Sequence, residues 1–202
     1  MYFIMNAKKK IVFLALVVSL AAVAIVGSSL AYFTDKEQKD NVFTVGNVDI
    51  TLTEPNWDAE GGKDAPAAYP GEALKKDPTV KNDGKNPAFV RIKVEGLDCL
   101  GEGNEITYRT DYVDGKLGDN WVDVKDGFFY YNKVLEVGAT TDALFDQIVI
   151  PTSVTNGFDG SYDVVVKAEA VQAQGAKASW DDVKAMTVDE IAEWFDACGM
   201  ND

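Results

Sequence analysis

Alternation of apolar and polar residues with a period of two is the feature that most restricts the fold of this chain. In 88–95 the even positions are Ala, Val, Ile and Val, and the odd positions include Arg, Lys and Glu. The same alternation recurs at 48–52 and 161–173. Successive side chains of a strand point to opposite faces, so this period predicts half-buried β-strands of fixed register.

Shorter apolar runs separated by turn residues complete an all-β pattern. They lie at 75–82, 106–112, 121–124, 128–131 and 145–150. Asp126-Gly127 between two of these runs predicts a hairpin, and Pro78 points to a sheet edge or a bulge. The glycine- and proline-containing stretch 56–71 predicts a long surface loop. The whole pattern predicts a β-sandwich or jelly roll.

The N-terminus has the three parts of a secretory signal peptide. Lys8, Lys9 and Lys10 precede an almost unbroken apolar run at 11–26, and Ser29-Leu30-Ala31 offers a small-x-small exit. This order predicts cleavage between Ala31 and Tyr32 and export of the remainder. An uncleaved membrane anchor is the alternative, because about 20 apolar residues span a bilayer.

Charge and composition exclude several functions. The chain carries a net charge of −14, and residues 1–31 hold three lysines and no acid, so the exported part is three units more negative still. Repulsion disfavours nucleic acid and anionic lipid as partners, leaving only a transient membrane contact through the signal peptide. Histidine is absent, which excludes His-based triads and HExxH zinc helices. Nothing in the sequence indicates a cofactor.

The C-terminal residues change to a helical period. Thr187 and Glu190 fit a capping box at the start of a helix. An apolar face follows, formed by Val188, Ile191, Ala192, Phe195 and Cys198. We expect this helix to pack against an end or edge of the sandwich, preceded by a short helical turn at 179–184. The predicted organisation is a signal peptide at 1–31, a jelly-roll domain at 32–175 with an N-terminal arm at 32–45, and a C-terminal helical extension at 176–202.

The two cysteines, Cys99 and Cys198, leave two interpretations open. Outside the cell they could form one disulfide closing a loop of about 100 residues, worth roughly 4–5 kcal/mol in the chain-entropy model. Alternatively, they are two buried thiols.

Several stretches together resemble the TasA/camelysin family, whose members carry SipW-type signal peptides. The resemblance rests on AYFTD at 31–35, NVFTVGNVDI at 41–50, KDPTVKNDG at 76–84, AFVRIKV at 88–94, DGFFYYNKVL at 126–135, 138–145 and EAVQA at 169–173. It implies a jelly-roll domain, trimming by a SipW-like signal peptidase, and secretion to the extracellular matrix or the cell surface.

The resemblance also implies a structural subunit of a biofilm-matrix fibre. In such fibres the mature N-terminal segment of one subunit adds as a strand to the next copy or to a related matrix subunit. The donor would be the arm 32–45. Its side-chain anchors would be Tyr32, Phe33, Val42, Phe43 and Val45. The alternative for 42–45 is that they begin the first strand of their own domain.

Two other functions are weighed against the fibre subunit. A monomeric cell-surface binding or adhesion module would use exposed aromatic residues, of which Trp57, Tyr69, Tyr108 and Tyr112 are candidates, although Tyr108 and Tyr112 are expected in the core. A camelysin-like metalloprotease is disfavoured because catalytic zinc sites usually include histidine. Five aspartates at 111–126 could bind calcium, but acidic loops are usually solvated. The aromatic run 128–131 is interpreted as a core hairpin rather than a binding platform.

Overall fold

A computed structural model describes residues 48–154 and 163–200, and the all-β prediction is confirmed. The strands are β1 (Ile50–Thr53), β2 (Ala73–Lys75), β3 (Thr79–Asn82), β4 (Ala88–Glu95), β5 (Thr107–Thr110), β6 (Val113–Asp114), β7 (Trp121–Asp123), β8 (Phe129–Tyr131), β9 (Gln147–Val149) and β10 (Val165–Gln172). Two C-terminal helices follow, α1 (Trp180–Lys184) and α2 (Val188–Ala197). The predicted signal peptide, its cleavage pair Ala31 and Tyr32, and the arm 32–45 lie outside the described residues.

The described strands form two four-stranded sheets and one strand pair. Sheet I has the order β10-β4-β8-β7, sheet II has the order β2-β9-β5-β6, and β1 pairs with β3. Every pairing is antiparallel. The predicted Asp126-Gly127 hairpin is confirmed, because β7 pairs with β8 in the register Trp121↔Tyr131.

The main core contains the apolar face that the alternation predicted. Val48, Ile50 and Leu52 are buried while Asp49 and Thr51 are exposed. The even positions of β4 and β10 and the inner face of sheet II belong to the same cluster. Burial of one face thus fixes the register of these strands.

A second cluster lies on the opposite face of sheet I, under the C-terminal helices. Phe89 and Val171 from the sheet pack with Ile191 and Phe195 from α2. The helix therefore covers a face of the sheet, and the expectation of an end or edge was wrong. The physical reason is that the odd positions of β4 and β10 also contribute apolar area, which must be buried.

The run 75–82 is two strands rather than one. β2 pairs with β9 and β3 pairs with β1, so the chain passes from sheet II to the strand pair across Lys76–Pro78. Pro78 has no N–H to donate, and its carbonyl accepts from Leu144 N at 2.8 Å. The proline marks the change of sheet.

The stretch 56–71 is largely helical, which corrects the predicted loop. It consists of a wide turn (Trp57–Gly61), an α turn (Gly62–Asp64) and a 3-10 turn (Ala65–Ala67). The Asp77 carboxylate accepts from Asn56 N at 2.8 Å and Trp57 N at 3.4 Å. Asp77 thus satisfies the free amides at the start of this helical segment. Because Asp77 lies about 20 residues further along the chain, the local sequence pattern of 56–71 does not reveal this cap.

Candidate interaction surfaces

The terminal strands of the sheets are the candidate sites for assembly. In the described residues these are β10 and β7 in sheet I and β2 and β6 in sheet II. β10 has eight residues, whereas β7 and β2 have three each and β6 has two. A terminal strand directs backbone donors and acceptors away from its sheet and so can template another strand. β10 is the longest of these strands, and within it Lys167 and Ala170 already have interaction partners.

The helical segment 57–67 covers the strand β2. A Cβ on Gly61 would lie 2.0 Å from the carbonyl oxygen of Lys75, so only glycine allows this approach. Lys75 Nζ also lies 2.5 Å from the Glu60 carboxylate. Covering a strand with another element is a common protection against unwanted pairing.

A buried ion pair anchors the start of that segment. Lys76 Nζ lies 2.9 Å from one Glu54 carboxylate oxygen and 3.0 Å from the other, and the two side chains are 3% and 12% exposed. The ammonium also lies 4.4 Å from the centre of the Trp57 ring. Burial raises the pKa of Glu54 despite the opposing effect of Lys76. Asp77, next to Lys76, caps the same helical segment, so these buried charges serve to hold the segment in place.

Arg91 is the buried cation between sheet I and α2. The residue is 3% exposed, and its guanidinium carbon lies 3.6 Å from the centre of the Phe128 ring and 4.7 Å from that of Phe195. The guanidinium donates to the Glu169 carboxylate at 2.7 Å and to the Met200 carbonyl at 2.5 Å. Arg91 therefore ties the last residues of the described chain to the sheet.

Tyr130 completes this cluster. Its hydroxyl accepts from Arg91 at 3.1 Å and donates to Asp126 at 2.8 Å. Burial, together with the neighbouring Asp126, raises the pKa of Tyr130 to about 12 against the opposing effect of Arg91. All four residues of the aromatic run 128–131 are buried, so the interpretation as a core hairpin is confirmed.

The four candidate aromatic contacts have different environments. Tyr108 packs in the core, with ring centres 5.6 Å from both Phe129 and Phe145, as expected. Tyr112 is 82% exposed, so its expected core position was wrong. Tyr69 is 61% exposed, and Trp57 is half-buried against Lys76. The two exposed tyrosines remain available for contacts.

The described residues do not fit a catalytic metal. Histidine is absent from the whole chain, and residues 48–154 and 163–200 bring no three Cys, Asp or Glu side chains into a group that could hold an ion. Among the five aspartates proposed for calcium, Asp111 pairs with Lys116 at 2.6 Å and Asp123 pairs with Lys125.

Cys99 and Cys198 are both free thiols in the structure. Cys99 is half-buried against the main core, whereas Cys198 is exposed at the end of α2. The disulfide that the sequence left open is therefore not formed in the structure, and the alternative of two buried thiols does not hold for Cys198, which does not share the buried face of Ile191 and Phe195. Burial raises the pKa of both thiols.

Comparison with known protein families identifies a similarity over the N-terminal part of the chain. A family model described as camelysin metallo-endopeptidase matches residues 6–94, which extend from the predicted signal peptide into β4. Searches of curated proteins and of solved structures found no match. In the part of the chain that the structure describes, no helix is long and apolar enough to cross a bilayer.

Proposed function

We propose that this chain is an exported structural subunit of an extracellular matrix fibre. The match of a camelysin family model to residues 6–94 supports the proposal, because it agrees with the resemblance to the TasA/camelysin family over that part of the chain. The observation that carries the proposal is the antiparallel sandwich, in which β10, with eight residues, is the last strand of sheet I among the described residues. A strand from another subunit can extend such a sheet through main-chain hydrogen bonds.

The donor in this proposal is the arm 32–45, which leads directly into the buried strand β1. Cleavage after Ala31 by a SipW-like peptidase frees the arm only on export, so assembly is confined to the outside of the cell. Apolar anchors at Tyr32, Phe33, Val42, Phe43 and Val45 then pack against the receiving subunit, which is a second copy or a related matrix subunit. Head-to-tail addition of this kind does not close on itself and produces filaments.

Electron microscopy and sedimentation of the exported protein test this proposal. The wild type is compared with two variants. One lacks residues 32–46, and the other keeps the full-length arm with the double substitution Phe43→Ser/Val45→Ser. Asn41→Ser/Thr44→Ser is the matched control, because it changes the same arm without removing an anchor. We expect filaments from the wild type and the control only. Filaments of normal appearance from the deletion variant would refute the donor role of the arm.

Proteolysis is a second candidate function, favoured by the description of the matched family as a metallo-endopeptidase. The chemistry of this chain opposes it, because catalytic zinc usually takes three protein ligands and the chain has no histidine. We expect no cleavage when the zinc-supplemented protein is incubated with casein. Reproducible cleavage that a chelator abolishes, and that follows the protein through purification, would establish the protease instead.

A monomeric adhesion module is the third candidate, favoured by the exposure of Tyr69 and Tyr112. It shares the predicted export with the fibre subunit and differs in oligomeric state. Sedimentation of the exported protein separates the two, because a module remains monomeric at every concentration, whereas a fibre subunit forms polymer.

A further inference from the structure

One polar row crosses the outward face of sheet II. Lys75 lies opposite Gln147, Gln147 lies opposite Arg109, and Arg109 lies opposite Asp114. Directly paired residues share a face, and Ile148, which alternates with Gln147, is buried in the core. Arg109 Nε donates to Gln147 Oε1 at 2.6 Å, so two planar polar groups in the row are held in a fixed orientation.

Tyr112 stands beside this row on the turn between β5 and β6. Asp111 and Tyr112 have φ values of 52° and 63°, a conformation rare for non-glycine residues. Asp111 is held on both sides, because its N–H donates to Asp146 at 3.1 Å and its carboxylate pairs with Lys116 at 2.6 Å. The surrounding contacts therefore maintain a strained turn that presents a tyrosine to solvent.

The ring of Tyr112 is supported from the row itself. The Arg109 guanidinium carbon lies 5.5 Å from the ring centre, within cation–π distance. An exposed aromatic ring is thus placed next to oriented donors and acceptors.

The mixture of positive and negative side chains in the row indicates which chemical class of ligand can bind there. Lys75 pairs with Glu60 at 2.5 Å, and Asp114 lies opposite Arg109, so cations and acids are interleaved. An apolar partner would remove water from these groups without replacing their hydrogen bonds. A polyanion would be repelled by the net charge of −14. A polycation would be repelled locally by Lys75 and Arg109, the two cationic side chains of the row.

We propose that the polar row and Tyr112 bind a neutral polysaccharide. Sugar hydroxyls both donate and accept, which suits an arginine, a glutamine amide and a carboxylate together. The apolar C–H face of a pyranose ring stacks on Tyr112, which provides rigid apolar area. The proposal is independent of fibre assembly, because neither β10 nor the arm takes part in it.

Native electrophoresis of the exported protein in gels containing dextran, hydroxyethylcellulose or galactomannan tests this site. The mobility of each variant is divided by its mobility in a gel without polysaccharide, which removes the effect of protein size and charge. Alginate is the anionic control. We expect at least one neutral polymer, and not alginate, to retard the wild type. Tyr112→Ala should weaken the apparent affinity about tenfold, and Tyr112→Phe should retain it.

Val137→Ala is the control, because Val137 is also an exposed apolar side chain but lies outside the strands of sheet II. Its retardation should equal that of the wild type. Circular dichroism confirms that each variant is folded. The proposal is overturned if no neutral polymer retards the wild type, if alginate retards it equally, or if Tyr112→Ala binds as well as the wild type.

Discussion

Removal of the buried guanidinium of Arg91 should lower the free energy of unfolding more than the loss of any exposed ion pair does. Arg91→Ala leaves the Glu169 carboxylate, the Tyr130 hydroxyl and the Met200 carbonyl without their donor. Breaking a buried pair by removing one partner costs roughly 3–5 kcal/mol. The lost contacts with Phe128 and Phe195 act in the same direction, at about 0.5–2 kcal/mol each.

Urea unfolding and thermal melting measure this loss. In a domain of this size each kcal/mol lowers the melting temperature by roughly 2–4 °C, so Arg91→Ala should lower it by at least about 6 °C. Arg91→Lys keeps the charge but loses the planar fork, and we expect an intermediate value. Limited proteolysis should show faster cleavage in the C-terminal residues 188–200, because the guanidinium packs on Phe195 of α2 and holds the Met200 carbonyl after it.

The matched control is Glu95→Gln, which breaks the Lys167–Glu95 pair between β10 and β4. Those side chains are 35% and 41% exposed, so the expected cost is about 0–1 kcal/mol. The role assigned to Arg91 is refuted if Arg91→Ala is no more destabilising than this control and leaves the C-terminal residues equally resistant to protease.

Three further predictions concern packing, pH and capping. Gly61→Ala should lower the free energy of unfolding by about 1–3 kcal/mol, because the new Cβ would lie 2.0 Å from the Lys75 carbonyl oxygen. Gly62→Ala should lower it little, because its Cβ would lie 3.3 Å from the nearest atom, and urea unfolding measures both losses. Equal losses would contradict the close approach. The folded pKa of Tyr130 is about 12, above the ordinary value of 10.0, so its contribution to stability is complete below pH 10 and is lost as pH rises towards 12. Absorbance at 295 nm should show this late ionisation, and a Tyr130→Phe titration identical to that of the wild type would exclude the assignment. Thr187→Ala should lower stability by about 1 kcal/mol and Thr187→Ser by less, because only a hydroxyl caps α2; similar losses in thermal melts would show that the cap is unimportant.

Local patterns predicted the elements whose signals lie within a few residues. The alternation of β4, the Asp126-Gly127 hairpin and the capping box of α2 all appear as predicted. Ser179 also accepts from Asp182 N and caps α1 within the predicted turn at 179–184. In each case strand periodicity, turn geometry or a cap decides the conformation before distant contacts act.

The features that could not be predicted depend on residues distant in sequence. The helical segment 57–67 is stabilised by Asp77 and by close packing on Lys75, and neither contact is visible in its own composition. Arg91 occupies an alternating position that appeared only to be a polar face of β4, and its burial depends on α2 more than 90 residues later. The exposure of Tyr112 follows from a turn with two positive φ values.

Fibre assembly by strand addition requires that the arm 32–45 makes its contacts with another subunit. Assembled protein from a 1:1 mixture of ¹⁵N-labelled and unlabelled chains can be cross-linked through Lys36 and Lys39 of the arm and analysed by mass spectrometry. Strand addition predicts that arm-to-sandwich cross-links join labelled with unlabelled peptides as often as random mixing allows. Cross-links found exclusively within one isotope would show that the arm pairs with its own domain, and would contradict the proposed assembly.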